Sequence, residues 1–262
     1  MHQGMARNGL VVCALILGAC TKSQAVAEVD GQCADPYQAH VCTWSKAQGK
    51  DVVEVGVRMP LAAIENAPAE EQMVWPPVPV ADLQLPDSGQ RSSGLTHFTM
   101  FWDPMGHPPT VFMTPHFDFH FYLVPAGERS TIDCTDVSKP TALPAGYVLP
   151  DMALPPPMVQ LTGVSTLVGV CVPQMGMHAL IGAEMEGTTP FRGTMVVGYY
   201  RGKAIFIEPM LTRAMLLEKK SFDLPIPVIP GLEGTYPRVF HAEYDAPSNA
   251  YRFVFSDFRA GA

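Results

Sequence analysis

Over residues 115–122 the chain reads Pro-His-Phe-Asp-Phe-His-Phe-Tyr, an alternation of period two that an extended strand can use and a helix cannot. Successive side chains of a strand leave on opposite faces. Phe117, Phe119 and Phe121 therefore share one face, and His116, Asp118, His120 and Tyr122 share the other. The benzyl face has to be buried against a second layer, which commits the chain to a sheet packed on something else. The rest of the sequence agrees, because 26 prolines and 22 glycines interrupt it too often for long amphipathic helices and favour short strands joined by turns.

Residues 51–59 form a β-type run, residues 61–66 a helical turn, and residues 68–86 hold too many prolines for a helix and are expected as irregular coil or a sheet edge. Residues 96–124 contain two strand segments joined by Asp-Pro-Met-Gly-His-Pro-Pro, a hairpin or a pair of neighbouring strands. A second hairpin is expected over residues 194–208 around Arg201-Gly202, and a third turns at residues 246–249. Residues 161–173 read as a strand. Residues 210–220 read as a helix with Leu211, Ala214, Met215 and Leu217 on its apolar side. No repeat or second domain is visible, so the expected fold is mainly β: a single β-sandwich or barrel-like domain with one or two short helices.

Ahead of this domain, Arg7 precedes an uncharged run over residues 10–19 that is too short to span a bilayer and has the length of a signal-peptide core. It ends Leu17-Gly18-Ala19-Cys20, which looks like a bacterial lipobox. The expectation is a lipoprotein signal peptide over 1–19, lipid on Cys20, a tether and N-terminal flap over 20–50, and the β-rich domain over 51–262. The partner is then the membrane, held through the acyl chains on Cys20. The location is the periplasmic side of the cell envelope. Thr21 stands where inner-membrane retention uses aspartate, which favours the outer membrane in a Gram-negative cell. A net charge of −8 argues against a nucleic-acid partner.

Cys13 leaves with the signal peptide and Cys20 takes the lipid. Cys33, Cys42, Cys134 and Cys171 remain, an even number in an oxidising compartment, and two disulfides are expected. Of the three pairings, the short local loop favours Cys33 with Cys42 and hence Cys134 with Cys171. No C-x-x-C pair points to a cysteine metal site.

Two imidazoles, a carboxylate and a phenol on one strand face form a set of metal-ligand types backed by a rigid apolar face. Spacing limits the set, since four steps of about 3.3 Å put the Cα atoms of His116 and His120 about 13 Å apart. Asp118 lies only about 6–7 Å from either, so it can share an ion with one of them, a bulge after Pro115 would let the other reach it, and a further ligand must come from elsewhere. His178, after a strand and a Pro/Gly turn, is the best candidate; Glu184, Glu186 and Glu208 are weaker ones. The expected metal is divalent, zinc first, with manganese, iron or copper open. The same alternation also fits the hydrated face of a half-buried sheet, or metal-free acid–base chemistry. His107, in Gly-His-Pro-Pro, reads as a turn residue, and His40, His97 and His241 as structural.

The blocks PHFDFHFY (115–122), GHPP (106–109), VPQMGMH (172–178) and YYRGKAIFIEPM (199–210) together resemble an uncharacterised bacterial exported-protein family, over roughly residues 52–258. The resemblance implies export but no reaction, because the family has none established. That family carries an aromatic residue after the second-block histidine and a Pro-Glu soon afterwards. Here the chain reads His178-Ala179-Leu180 and then Glu184-Met185-Glu186, so the resemblance supplies no carboxylate ligand from that stretch.

Three functional readings follow. The leading one is a lipid-anchored envelope protein of unassigned activity that holds a divalent metal through His116, Asp118, His120 and His178. The second is a metal-dependent hydrolase or lyase, although no G-x-S-x-G, H-E-x-x-H or P-loop motif is present. The third is a structural envelope protein, a homo-oligomer whose aromatic strands continue into a second copy.

Overall fold

In the computed structural model, which describes Met1, residues 25–187 and residues 191–260, the alternating segment His116–Tyr122 is a strand buried along its whole length. The signal run and Cys20 lie outside the described residues. In chain order the strands are β1 Val26–Ala34, β2 Val41–Gln48, β3 Asp51–Pro60, β4 Ala81–Gln84, β5 His97–Asp103, β6 His116–Tyr122, β7 Tyr147–Val148, β8 Met152–Ala153, β9 Thr166–Leu167, β10 Met177–Ile181, β11 Gly193–Tyr200, β12 Lys203–Thr212, β13 Phe222–Pro225, β14 Thr235–Asp245 and β15 Ala250–Ala260. They form a six-stranded sheet in the order β1-β2-β3-β15-β14-β13, a seven-stranded sheet in the order β4-β5-β6-β12-β11-β10-β7, and a two-stranded ribbon β8-β9.

The two large sheets are packed face to face as a β-sandwich. Phe119 and Phe121 of β6 meet Phe253 and Phe255 of β15 across the interface, with ring centroids 4.9 and 4.5 Å apart. Alternation holds along each strand of the seven-stranded sheet near the site. Phe117, Phe119, Phe121, Met177, Ala179, Ile207 and Leu211 point into the sandwich core. Leu180, Phe206 and Met210 point to the other side.

That other side is not a hydrated surface. A second apolar layer of Val111, Phe112, Ile132, Leu180, Phe191, Phe206 and Met210 lies over it. The cover comes from the connections between β5 and β6, between β6 and β10 and, through Phe191, between β10 and β11, and the Cys134–Cys171 disulfide pins the second of these. Cys33–Cys42 closes the β1–β2 pair across directly opposed residues.

The three expected hairpins are present as β5–β6, β11–β12 and β14–β15. The sequence reading differs from the structure in three places. Residues 26–48, expected within a tether and flap, are β1 and β2 of the six-stranded sheet, so the sandwich begins at Val26. The stretch 161–173, expected as a strand, holds the end of the helix Pro156–Thr162, the two-residue β9 and a 3-10 turn. The helix expected over 210–220 shrinks to Arg213–Leu216, because Met210, Leu211 and Thr212 pair with Asp118, Phe117 and His116 of β6; Thr212 then caps the short helix through its hydroxyl.

Candidate metal centre

Four strands and one loop bring polar side chains into the second apolar layer. β6 supplies His116, Asp118 and His120, and β10 supplies His178. Glu208 comes from β12, between Ile207, which pairs with Phe121, and Met210, which pairs with Asp118. Asp103 ends β5 directly opposite His116, and His107 comes from the Gly-His-Pro-Pro loop. Gly106 lets the two ends of that connection pack together: its φ is +67°, and a Cβ there would lie 2.2 Å from the Phe112 carbonyl oxygen.

These residues sort into two clusters, in each of which one donor atom per residue lies within 4.8 Å of the others: Asp103, His107, His116 and Asp118; and His120, His178 and Glu208. The four residues singled out from sequence thus divide in pairs, His116 with Asp118 and His120 with His178, as the strand repeat requires. A third group, Cys33, His40 and Cys42, has its sulfurs committed to a disulfide.

In the second cluster His120 Nε2 is 3.6 Å and His178 Nε2 is 4.0 Å from Glu208 Oε2. The two imidazoles are perpendicular, with centroids 5.8 Å apart. His178 Nδ1 donates to the Val170 carbonyl at 2.9 Å, which leaves Nε2 with its lone pair facing Glu208. Val170 holds this carbonyl at φ +51°, a conformation that a β-branched residue adopts only at a cost of about 1–3 kcal/mol. Phe206 packs edge-on against both imidazoles, 4.7 Å from His120 and 5.2 Å from His178. The space for that ring is provided by Gly198, whose added Cβ would sit 2.0 Å from Phe206 Cε1.

Neither ring nitrogen of His120 makes a hydrogen bond, nor does Glu208 Oε2. Their side chains are 1% exposed. Burial, followed by the charges of Asp118 and Asp103, pushes the Glu208 carboxyl well above the usual carboxylate range. Burial likewise holds His120 well below the usual histidine value and lowers His178 to about 4. The metal-free triad is therefore neutral, with two imidazole lone pairs available.

In the first cluster His107 Nδ1 and His116 Nδ1 donate to the Pro108 and Thr114 carbonyls at 2.8 and 2.7 Å. Their Nε2 atoms then face the two oxygens of Asp118, at 3.3 Å from Oδ2 and 3.2 Å from Oδ1. Burial opposes the charged form of His107, but Asp118, Asp103 and the Pro108 carbonyl outweigh it and push the imidazole up to about 10. Asp118, although burial opposes its charge, is held well below the usual range by His116 and His107. Burial and the Asp118 charge push Asp103 up to about 6.

A cavity of about 130 Å³ opens against both clusters, with Asp103, His107, Asp118, His178 and Glu208 on its polar wall. Its remaining walls are apolar and include Phe101, Met152, Leu167, Met175 and Met210. Sequence reasoning read His107 as a turn residue, did not single out Asp103 and ranked Glu208 low. His107 was legible only through the Gly-His-Pro-Pro block, and Asp103 only through a cross-strand register that no local pattern gives. No family model, curated protein or solved structure matches the chain.

Proposed function

We propose that this chain is a lipid-anchored protein of the bacterial envelope whose β-sandwich holds a divalent metal ion at His120, His178 and Glu208. The observation that carries this reading is the set of buried donor atoms without hydrogen bonds, His120 Nδ1 and Nε2 with Glu208 Oε2. A buried polar group without a partner costs several kcal/mol, and one cation among these three side chains would satisfy the Glu208 carboxylate, His178 Nε2 and one of the two His120 nitrogens. Two imidazoles and a glutamate form a zinc donor set. The carbonyl that holds His178 Nδ1 fixes its tautomer as such sites do.

Anchoring through Cys20 is supported by the Leu17-Gly18-Ala19-Cys20 sequence and by two disulfides of a kind that persists in oxidising compartments. No helix among the described residues is long and apolar enough to cross a membrane. Only five residues separate Cys20 from β1, a reach of about 20 Å at full extension, so the sandwich would stand close to the lipid surface.

A second reading, metal-dependent hydrolase or lyase, is favoured by the ligand count. Three protein donors leave a coordination position free, and His178 and Glu208 border the cavity. An ion there would act as a Lewis acid toward a donor atom in the cavity, and the neighbouring His107–Asp118 pair could hold or move a proton.

Elemental analysis of protein purified without chelator, beside His120→Ala and Glu208→Gln variants, tests the metal assignment. We expect bound zinc in the wild type and one equivalent fewer in each variant. Metal content that neither substitution changes would overturn it. For the anchor, a Cys20→Ala protein that still partitions into the detergent phase and still incorporates fatty acid would refute lipidation.

A further inference from the structure

We propose that Asp103, His107, His116 and Asp118 form a second, independent divalent-cation site beside the first. Its donors are two imidazole nitrogens and two carboxylates, one atom of each within 4.8 Å of the others. β6 separates the two sites by its own repeat: Asp118 and His120 are two residues apart on one strand face, about 6–7 Å between Cα atoms. The sites are thus neighbours on one cavity wall, and their ligand lists have no residue in common.

Three observations carry the proposal. Both imidazoles spend Nδ1 on a backbone carbonyl, so both Nε2 atoms are turned inward onto Asp118. A metal-binding histidine is oriented in the same way. An internal ion pair between His107 and Asp118 accounts for only part of the cluster. His116 Nε2 and Asp118 Oδ1 approach to 3.2 Å and yet neither makes a hydrogen bond, although His116 is fully buried and Asp118 is only 7% exposed. Finally, the carboxylates of half-buried Asp103 and buried Asp118 come within 4.8 Å of each other, with the His107 imidazole beside them. A dication balances both carboxylates and lets both imidazoles bind as neutral donors.

Four protein donors distinguish this site from its neighbour. A full set of side chains closes a tetrahedral ion, the arrangement of a structural site, whereas the triad keeps a position free. Mixed nitrogen and oxygen donors suit zinc, which serves as the probe.

Zinc stoichiometry, measured by titration calorimetry and elemental analysis on the folded chain, tests the proposal. The wild type is compared with Glu208→Gln, which strips the triad, and with His107→Ala and Asp103→Asn, which strip the four-residue cluster. Asp103→Asn is nearly isosteric at a strand end, so it remains informative if His107→Ala fails to fold. We expect two equivalents in the wild type and one in each variant. A wild type that binds one equivalent and loses it only with Glu208→Gln overturns this proposal, and so does a wild type that binds one equivalent and loses it with each of the three variants, which would mean a single shared ion. One equivalent lost only with His107→Ala and Asp103→Asn upholds this site and overturns the triad reading. No zinc in the wild type overturns both.

Discussion

His120 and Glu208 face each other across the β6–β12 pair with Nε2 and Oε2 3.6 Å apart, buried, and with no hydrogen bond at either atom. Metal-free, Glu208 is held neutral by burial and by the nearby aspartates, so a neutral isostere should cost little. We predict that Glu208→Gln changes the metal-free melting temperature by no more than a degree or two. It should abolish the triad's share of the zinc-induced rise. At a zinc concentration 100 times Kd that share is about 2.7 kcal/mol, or roughly 5–10 °C for a chain of this size. Thermal unfolding with zinc and with chelator reads both numbers.

Gly198 of β11 lies directly opposite His178 of β10, and the Phe206 ring occupies the space its side chain would fill. Gly198→Ala should therefore overpack the second layer, at a cost of about 1–3 kcal/mol. It should also displace the ring that packs against both imidazoles of the triad and weaken zinc binding. Urea unfolding and zinc titration of the variant measure the two effects. Unchanged stability with unchanged affinity would refute the packing argument.

The two disulfides close loops of different length, with sequence separations of 9 and 37 residues. On the chain-entropy account, replacing Cys134 and Cys171 together by alanine should cost about 4 kcal/mol, and replacing Cys33 and Cys42 about 3 kcal/mol. Only the former pair pins the cover that carries Val170, so only the former replacement should lower zinc affinity.

His97, stacked 4.6 Å over Tyr122, is lowered to about 4 by burial first and then by the charge of Arg129. A histidine depressed in the folded state takes up its proton more readily when unfolded. Its contribution is therefore complete above pH 6.5 and is lost as the pH falls toward 4. Stability should drop by about 1.4 kcal/mol per pH unit across that window on this account, roughly 3 kcal/mol in all. Urea unfolding at pH 7, 5.5 and 4.5 should show a flatter profile for His97→Gln than for the wild type.

The strand pattern of residues 115–122 was legible because period two survives any tertiary context, whereas the sequence reading gave His116 and His120 to one metal and their division between two clusters comes from the structure. The hairpins were legible from their turns. Residues 210–212 were misread because Met210 and Leu211 carry helix-compatible side chains, while pairing with β6 decides their conformation. The helix Pro156–Thr162 was missed although Pro156 opens it and Gly163 follows it, the usual boundary marks. Glu208 and Asp103 join their clusters through sheet neighbours distant in sequence, which no local periodicity reports.

Because the carbonyl that orients His178 belongs to Val170, the residue before Cys171, the geometry of the triad depends on an oxidised cysteine pair. If the chain is exported as proposed, it is made in a reducing cytosol and lacks that closure until it leaves. Its metal preference would then be set by the ions it meets after translocation, not by those abundant where it is synthesised.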